Sequence, residues 1–238
     1  MIYFSKLFLV AMRIIGAFAF LPIFRGHYMT TRVKVTLVFL LSLLLLPNLQ
    51  EKIPATNNLG IWAKYALIEL FIGAGFGFVI HIYYATLHML GSIISMQSGL
   101  SAATMYDPSQ KEQIAIFTNL FLFMGMACFF VSDMHHAIIL GLVNTYDYWR
   151  CGAYPDMTTP IVEALSQSLT LSFQIASPFL IVEAAILLGS GILAKLMPTL
   201  QVFFVITPVQ IFVTFCIVFV VINQIIEIVL EHILKLLL

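Results

Sequence analysis

The sequence predicts an all-α membrane protein of about six long, kinked hydrophobic helices that form one membrane domain over residues 1–238. Of the 238 residues, 61% are hydrophobic and only 9% are charged, which is too few charges for a soluble surface. Three stretches contain no Asp, Glu, Lys or Arg: 37 residues from Leu70 to Tyr106, 20 from Gln113 to Ser132 and 31 from Leu196 to Ile226. Each exceeds the roughly 18 residues that indicate a membrane-spanning helix, and the apolar runs lack the strict alternation of barrel strands.

Charge and cysteine content exclude several classes of protein. Eleven basic and eleven acidic residues give a net charge of zero, so there is no basic patch for nucleic acid. Cys128, Cys151 and Cys216 are odd in number and form no C-x-x-C pair, which supports neither a disulfide framework nor a zinc site. No cofactor and no metal site are expected.

The first predicted helix ends before Pro22, because proline disfavours helical geometry in the residue that precedes it. Arg13 interrupts the apolar run, and apolar residues continue beyond Ala17-Phe18-Ala19, so this segment is interpreted as a retained helix and not as a cleaved signal. Arg25, Arg32 and Lys34 in the next loop favour a cytoplasmic location for it. The predicted helices are Phe4–Phe20, Arg32–Leu46, Ile61–Ser98, Gln113–Val131, Ile161–Leu196 and Val202–Leu238, with a further apolar stretch from His135 to Val143.

The third predicted helix is longer than a membrane requires. Nearly 40 residues would span roughly 57 Å at 1.5 Å per residue, so this region must bend, break or leave the membrane, and Gly91 and Gly99 are plausible breaks. Pro47 is expected to end the second helix, and Pro178 and Pro208 to kink the last two.

Glycines within the third helix indicate close helix packing. Gly73 and Gly77 are four residues apart and lie on one helix face, as in small-xxx-small contacts between membrane helices. A nucleotide-binding loop would need a preceding strand, which the surrounding sequence does not offer.

Several ionisable residues lie in or beside apolar segments, where their cost makes them candidates for function. They could relay protons, or they could form hydrogen bonds to neighbouring helices, and the spacing fits no known metal-ligand motif. The set is Glu69, His81, His88, Asp133, His135, His136 and Glu183.

The polar segment from Ser98 to Gln113 separates two long apolar helices. Its small residues leave little bulk, and Asp107-Pro108 is its sharpest turn signal. The segment is either a surface turn or a re-entrant, pore-lining loop, since irregular backbone at membrane depth occurs only beside protein or water.

Motifs distributed over the whole chain resemble the FliR family of the flagellar export gate and its injectisome relatives. They are Arg13-x-x-Gly16 with Pro22-Ile23-Phe24, E-L-F-I-G-A-G-F-G-F from Glu69, Gly91 followed by M-Q-S-G-L-S-A-A-T-M-Y-D-P-S from Met96, His135-His136, G-I-L-A-K-L-M-P-T-L-Q-V-F from Gly191, and Pro208.

This resemblance implies a non-enzymatic inner-membrane subunit of a type III secretion export gate. Such a subunit assembles with P- and Q-type subunits, and with a B-type switch subunit, around a conduit for unfolded proteins. The family's helices form a tilted stack of helical hairpins, and its plug loop corresponds here to residues 99–111, with Gly99, Leu100, Ser101, Ala102, Ala103, Asp107 and Pro108 as the gating residues. Arg13, Glu69, His135, His136, Lys195, Pro198 and Pro208 match the family's polar or kinked positions. Separately from the resemblance, Gly73, Gly77 and Gly91 are expected to be helix-packing positions.

Two departures weaken the transfer of individual contacts. The family often has asparagine in the block that reads Pro198-Thr199-Leu200-Gln201, and serine where this chain has Asn144. Nothing is carried onto residues 144–160. The rival hypothesis is a stand-alone secondary transporter in which Glu69, His81 and Asp133 relay protons, and an intramembrane hydrolase is disfavoured because no nucleophile or metal constellation is present.

Overall fold

The computed structural model describes residues 2–21, 24, 29–54, 58–100, 104–107, 112–152, 154–197 and 201–237. Within these residues there are seven long helices and one short β-hairpin. In chain order they are α1 (Ile2–Phe20), α2 (Thr31–Leu49), α3 (Leu59–Gln97), β1 (Thr104–Asp107), β2 (Glu112–Ala115), α4 (Ile116–Val131), α5 (Met134–Tyr148), α6 (Thr158–Leu196) and α7 (Val202–Leu237).

The helices confirm the predicted class of membrane protein. Five of them (α1, α2, α3, α6 and α7) are long and apolar enough to cross a membrane, and α4 with α5 would make a sixth span that bends by 74° at a short break. Helices satisfy their own backbone hydrogen bonds, which is the requirement that hydrocarbon imposes.

Helix α3 corrects one expectation, because it is a single helix of 39 residues that continues through Gly91. A glycine costs a helix only about 1 kcal/mol and no proline is present, so nothing in this segment forces a break. The helix ends before Gly99, whose φ of +73° suits a helix terminus. Helix α2 likewise continues through Pro47 to Leu49 instead of ending at the proline.

The polar segment between α3 and α4 also differs from the expected irregular loop. Strands β1 and β2 pair antiparallel from Thr104 opposite Ala115 to Asp107 opposite Glu112. Helix α4 therefore begins at Ile116, three residues after the predicted start. Ser101, Ala102, Ala103 and Pro108 lie outside the described residues.

The chain divides into two compact units. The first comprises Met1–Tyr83, Phe130–Leu165 and Ile233–Leu238, and the second comprises Tyr84–Phe129 and Ser166–His232. The core of the first unit packs α1, α2, α3 and α5 around buried residues that include Leu9, Ile14, Leu49, Leu142 and Tyr146.

In the second unit, α3 packs closely against α4 and is joined to α6. A Cβ added to Gly91 would overlap the backbone of Thr118. The hydroxyls of Thr86 and Ser168 share a hydrogen bond of 2.8 Å, and both are buried. Contacts of this kind, between small and polar side chains, are the usual means of helix association in membranes.

Candidate functional site

A buried ion pair joins two of the sequence-predicted residues, Arg13 of α1 and Glu69 of α3. The Nε of Arg13 donates to Oε2 of Glu69 at 2.6 Å, and Nη2 donates to Oε1 at 3.0 Å. Both side chains are completely buried. The pair is thus bidentate, the geometry in which a guanidinium and a carboxylate bind each other most strongly.

Helix α5 and the residue that follows it supply the remaining partners of the guanidinium. Nη1 donates to the hydroxyl of Thr145 at 3.0 Å, and Nη2 also donates to the backbone carbonyl of Trp149 at 3.2 Å. The ring of Tyr146 lies 3.5 Å from the centre of the guanidinium, within the range of a cation–π contact. Arg13 therefore ties three helices together.

Small residues allow α1 and α3 to approach closely enough for this pairing. A Cβ on Gly73 would overlap the carbonyl oxygen of Arg13, and a Cβ on Gly77 would overlap that of Ala17. On the other side of the contact, Gly16 of α1 meets the backbone of α3, and a Cβ there would overlap the carbonyl oxygen of Leu70. Backbone-to-backbone contact thus brings Arg13 alongside Glu69.

The chemistry of this cluster suits a clamp better than a catalyst. Both Glu69 oxygens accept hydrogen bonds, and the four donor contacts of Arg13 all go to protein acceptors. Burial and the neighbouring Glu69 carboxylate raise the pKa of the Cys151 thiol, so this cysteine stays protonated and is a poor nucleophile.

Sequence reasoning missed three members of this network: Thr145, Tyr146 and Trp149. They fall within residues 144–160, to which the family resemblance assigned no role. The available signal was Arg13 itself, because a buried guanidinium needs several acceptors. The polar and aromatic run N-T-Y-D-Y-W from Asn144 offers them.

The other sequence-predicted residues that the structure describes lie elsewhere in the chain. His135 and His136 begin α5 beside Asp133. Lys195 is exposed in the last turn of α6, Pro208 lies inside α7, and Pro198 lies outside the described residues. Asp107 is the last residue of β1, and Leu100 follows Gly99 directly after α3.

The second unit contains a buried carboxylate of its own, Glu183 on α6. It is 2% exposed, and its Oε1 accepts a hydrogen bond of 2.9 Å from the hydroxyl of Thr214 on α7. This contact joins the last two helices at a polar point within apolar segments.

Comparison with known proteins gives a consistent result over nearly the whole chain. Flagellar biosynthetic protein FliR from Caulobacter vibrioides is 28% identical over 184 residues, which cover 76% of this chain and 73% of the relative. The Escherichia coli FliR is 24% identical over 197 residues, covering 81% and 74%. The Bacillus subtilis FliR is 25% identical over 219 residues, covering 89% and 84%.

A family model extends the match further along the chain. The model described as bacterial export proteins, family 1, matches residues 4–236, so all seven described helices fall almost completely within it. The chain therefore belongs to family 1 of the bacterial export proteins, the FliR family that its sequence motifs resemble.

Proposed function

We propose that this chain is a subunit of the export gate of a type III protein secretion apparatus, in the flagellar branch and in the inner membrane. The observation that carries the proposal is the family match over residues 4–236, together with five helices of membrane-spanning length and composition. Membrane location and membership of an export family are both what such a subunit requires. The flagellar branch is favoured because the relatives named above are flagellar biosynthetic proteins.

The proposed partners are P- and Q-type gate subunits and a B-type switch subunit, with unfolded proteins in transit. Support comes from the apolar side chains that α6 and α7 leave exposed, among them Leu188, Ile192, Phe212 and Phe219. Lipid would cover some of these faces, and helices of neighbouring subunits would cover others. Large apolar areas of this kind mark membrane or protein contact.

The proposed gating element is the segment from Gly99 to Lys111, acting as a plug. It leaves α3 at a positive-φ glycine and includes strand β1, which pairs with β2 at the start of α4. Anchoring at both ends to long helices would hold the segment in place, and the small residues from Gly99 to Ala103 would let it move aside. Closure would then depend on bulk and backbone freedom, without catalysis.

The transporter hypothesis receives less support from the geometry. A proton relay through Glu69 would need a carboxylate that can take up and release a proton. Both oxygens of Glu69, however, accept hydrogen bonds from Arg13 in a buried ion pair. Neutralising one partner of such a pair leaves the other charge uncompensated, which costs several kcal/mol. The same network is well suited to fixing the helices of a channel subunit.

Purification from the native host tests this function. The chain, tagged and extracted in mild detergent, should be recovered in a defined complex with several P- and Q-type subunits, as measured by mass spectrometry and native mass. Untagged cells serve as the control for non-specific recovery. Isolation as a lone monomer or simple homodimer, together with pH-dependent solute uptake by the purified chain in liposomes, would overturn the proposal.

A further inference from the structure

The turn between α4 and α5 carries three metal-ligating side chains that the clamp does not use. Asp133, His135 and His136 each turn one ligand atom toward the others, and these atoms lie within 4.8 Å of one another. In the described part of the chain this is the one cluster of three or more His, Cys, Asp or Glu side chains with such spacing.

The distances suit a metal ion better than a hydrogen bond. Nε2 of His135 and Nδ1 of His136 both lie 3.9 Å from the same oxygen, Oδ1 of Asp133. Hydrogen bonds between such atoms are about 2.7–3.2 Å long. Two ligand atoms bound to one tetrahedral zinc ion at about 2.1 Å lie about 3.4 Å apart, so a cation would fit once rotation of the side chains shortens each nitrogen–oxygen distance by about 0.5 Å.

The backbone at Asp133 has an uncommon conformation. Its φ is +53°, and among the residues that the structure describes it is the one with a positive φ that is not glycine. This left-handed conformation is uncommon outside glycine, and aspartate tolerates it better than most residues. The sequence predicts no metal site here because D-x-H-H matches no known metal-ligand motif.

His135 contributes Nε2 to the cluster, because that ring nitrogen is the one that lies 3.9 Å from Oδ1 of Asp133. The side chain of His135 is 38% exposed, and the side chains of His136 and Asp133 are 70% and 78% exposed. The three ligand atoms are therefore not sealed off by the rest of the described chain.

We propose that Asp133, His135 and His136 form a binding site for a divalent transition metal of the zinc class. Two imidazoles and one carboxylate are a ligand set that Zn²⁺ uses with a water or another group in the fourth position. The bound ion would hold the left-handed turn at Asp133 in place. No catalytic step is assigned to it.

Zinc titration of the full-length chain tests the site. The chain is purified in detergent with a tag that contains no histidine, and Zn²⁺ is titrated against a fluorescent chelator. We expect one equivalent to bind, with affinity at least about tenfold weaker in Asp133→Asn and in His136→Gln, or about 1.4 kcal/mol for each. Asparagine keeps the tolerance for positive φ, so the first variant removes the charge and leaves the turn intact.

The matched control is His88→Gln, because His88 is an exposed histidine on α3 that lies outside the cluster. It should bind zinc as the unchanged chain does, and X-ray absorption at the zinc edge should show nitrogen and oxygen ligands with imidazole scattering. The proposal is overturned if the unchanged chain binds no stoichiometric zinc, or if all three variants bind it equally well. Size-exclusion profiles and helical circular dichroism confirm that each variant is folded.

Discussion

At the scale of single residues, the main feature is an ion pair that is buried in an apolar protein. Arg13 and Glu69 are completely buried and 56 positions apart in the chain. Two charges removed from water repay the desolvation cost only when their geometry is good and their remaining hydrogen-bonding groups are satisfied. The bidentate contact, Thr145 and the carbonyl of Trp149 meet that condition.

Glu69→Gln should therefore lower the free energy of unfolding by about 3–5 kcal/mol, because Arg13 is left as an uncompensated buried charge. The double variant Arg13→Met with Glu69→Leu should recover most of that loss, since it removes both charges. Thr145 keeps an acceptor in that variant, the carbonyl of Leu142 at 2.6 Å. Unfolding of each purified variant in the same detergent, followed by circular dichroism, measures the difference, and a double variant less stable than Glu69→Gln would contradict the account.

At the scale of elements, glycines determine which helices touch and which residues can pair. Gly73 and Gly77 lie on one face of α3, as their four-residue spacing predicts, and both meet the backbone of α1. Gly189 on α6 has no such neighbour, since a Cβ there would have nothing within 4 Å. Glycine is therefore a packing device in α3 and a small cost in α6.

Alanine substitution at Gly73 and at Gly189 should change the free energy of unfolding in opposite directions. Gly73→Ala should destabilise the protein by about 1–3 kcal/mol, because the added methyl forces the α1 and α3 backbones apart. Gly189→Ala should be neutral or stabilise by up to about 1 kcal/mol, because alanine favours the helix and the space is open. Thermal unfolding of the two variants in one detergent provides the comparison, and a loss of equal size at both positions would refute the role of close approach.

The β-hairpin is the element that the sequence could not have indicated. Its strands have four residues each, too few for an alternating pattern to be recognised in a polar segment. The predicted extent of α3, Ile61–Ser98, agrees with the observed Leu59–Gln97 to within two residues. The break expected at Gly91 was wrong, since excess length alone does not say whether a helix breaks.

At the scale of the whole molecule, the proposed function depends on exposed apolar helices and one connecting segment. The described parts of α6 and α7 expose many large apolar side chains, which suits a subunit that is completed by lipid and by neighbours. The segment from Gly99 to Lys111 is the connection between two long helices that the family resemblance assigns to closure.

Replacing Gly99 to Ala103 with a shorter or bulkier segment should change the ion leakage of resting cells that carry the assembled gate. A shorter plug should raise conductance, because closure is expected to depend on bulk and backbone freedom. Cells that carry the gate assembled with the unchanged chain serve as the control. The measurement is the membrane conductance of assembled complexes. Equal conductance with the altered and the unchanged segment would contradict the assignment of residues 99–111 as a plug.

Local composition was sufficient for the class of this protein and its membrane helices, and the resemblance of its motifs was sufficient for its family. The hydrophobicity of a span is the sum of the contributions of its own residues. Charge-free runs are therefore visible in the sequence, and the ends of α1, α6 and α7 can be predicted to within a few residues. The contacts between distant residues cannot be predicted in this way. The contact of Arg13 with Thr145 crosses 132 positions, and the close approach of Gly73 in α3 to Arg13 in α1 joins two helices that are separate in the chain. Each of these depends on where other parts of the chain place the backbone, and only the folded molecule decides that.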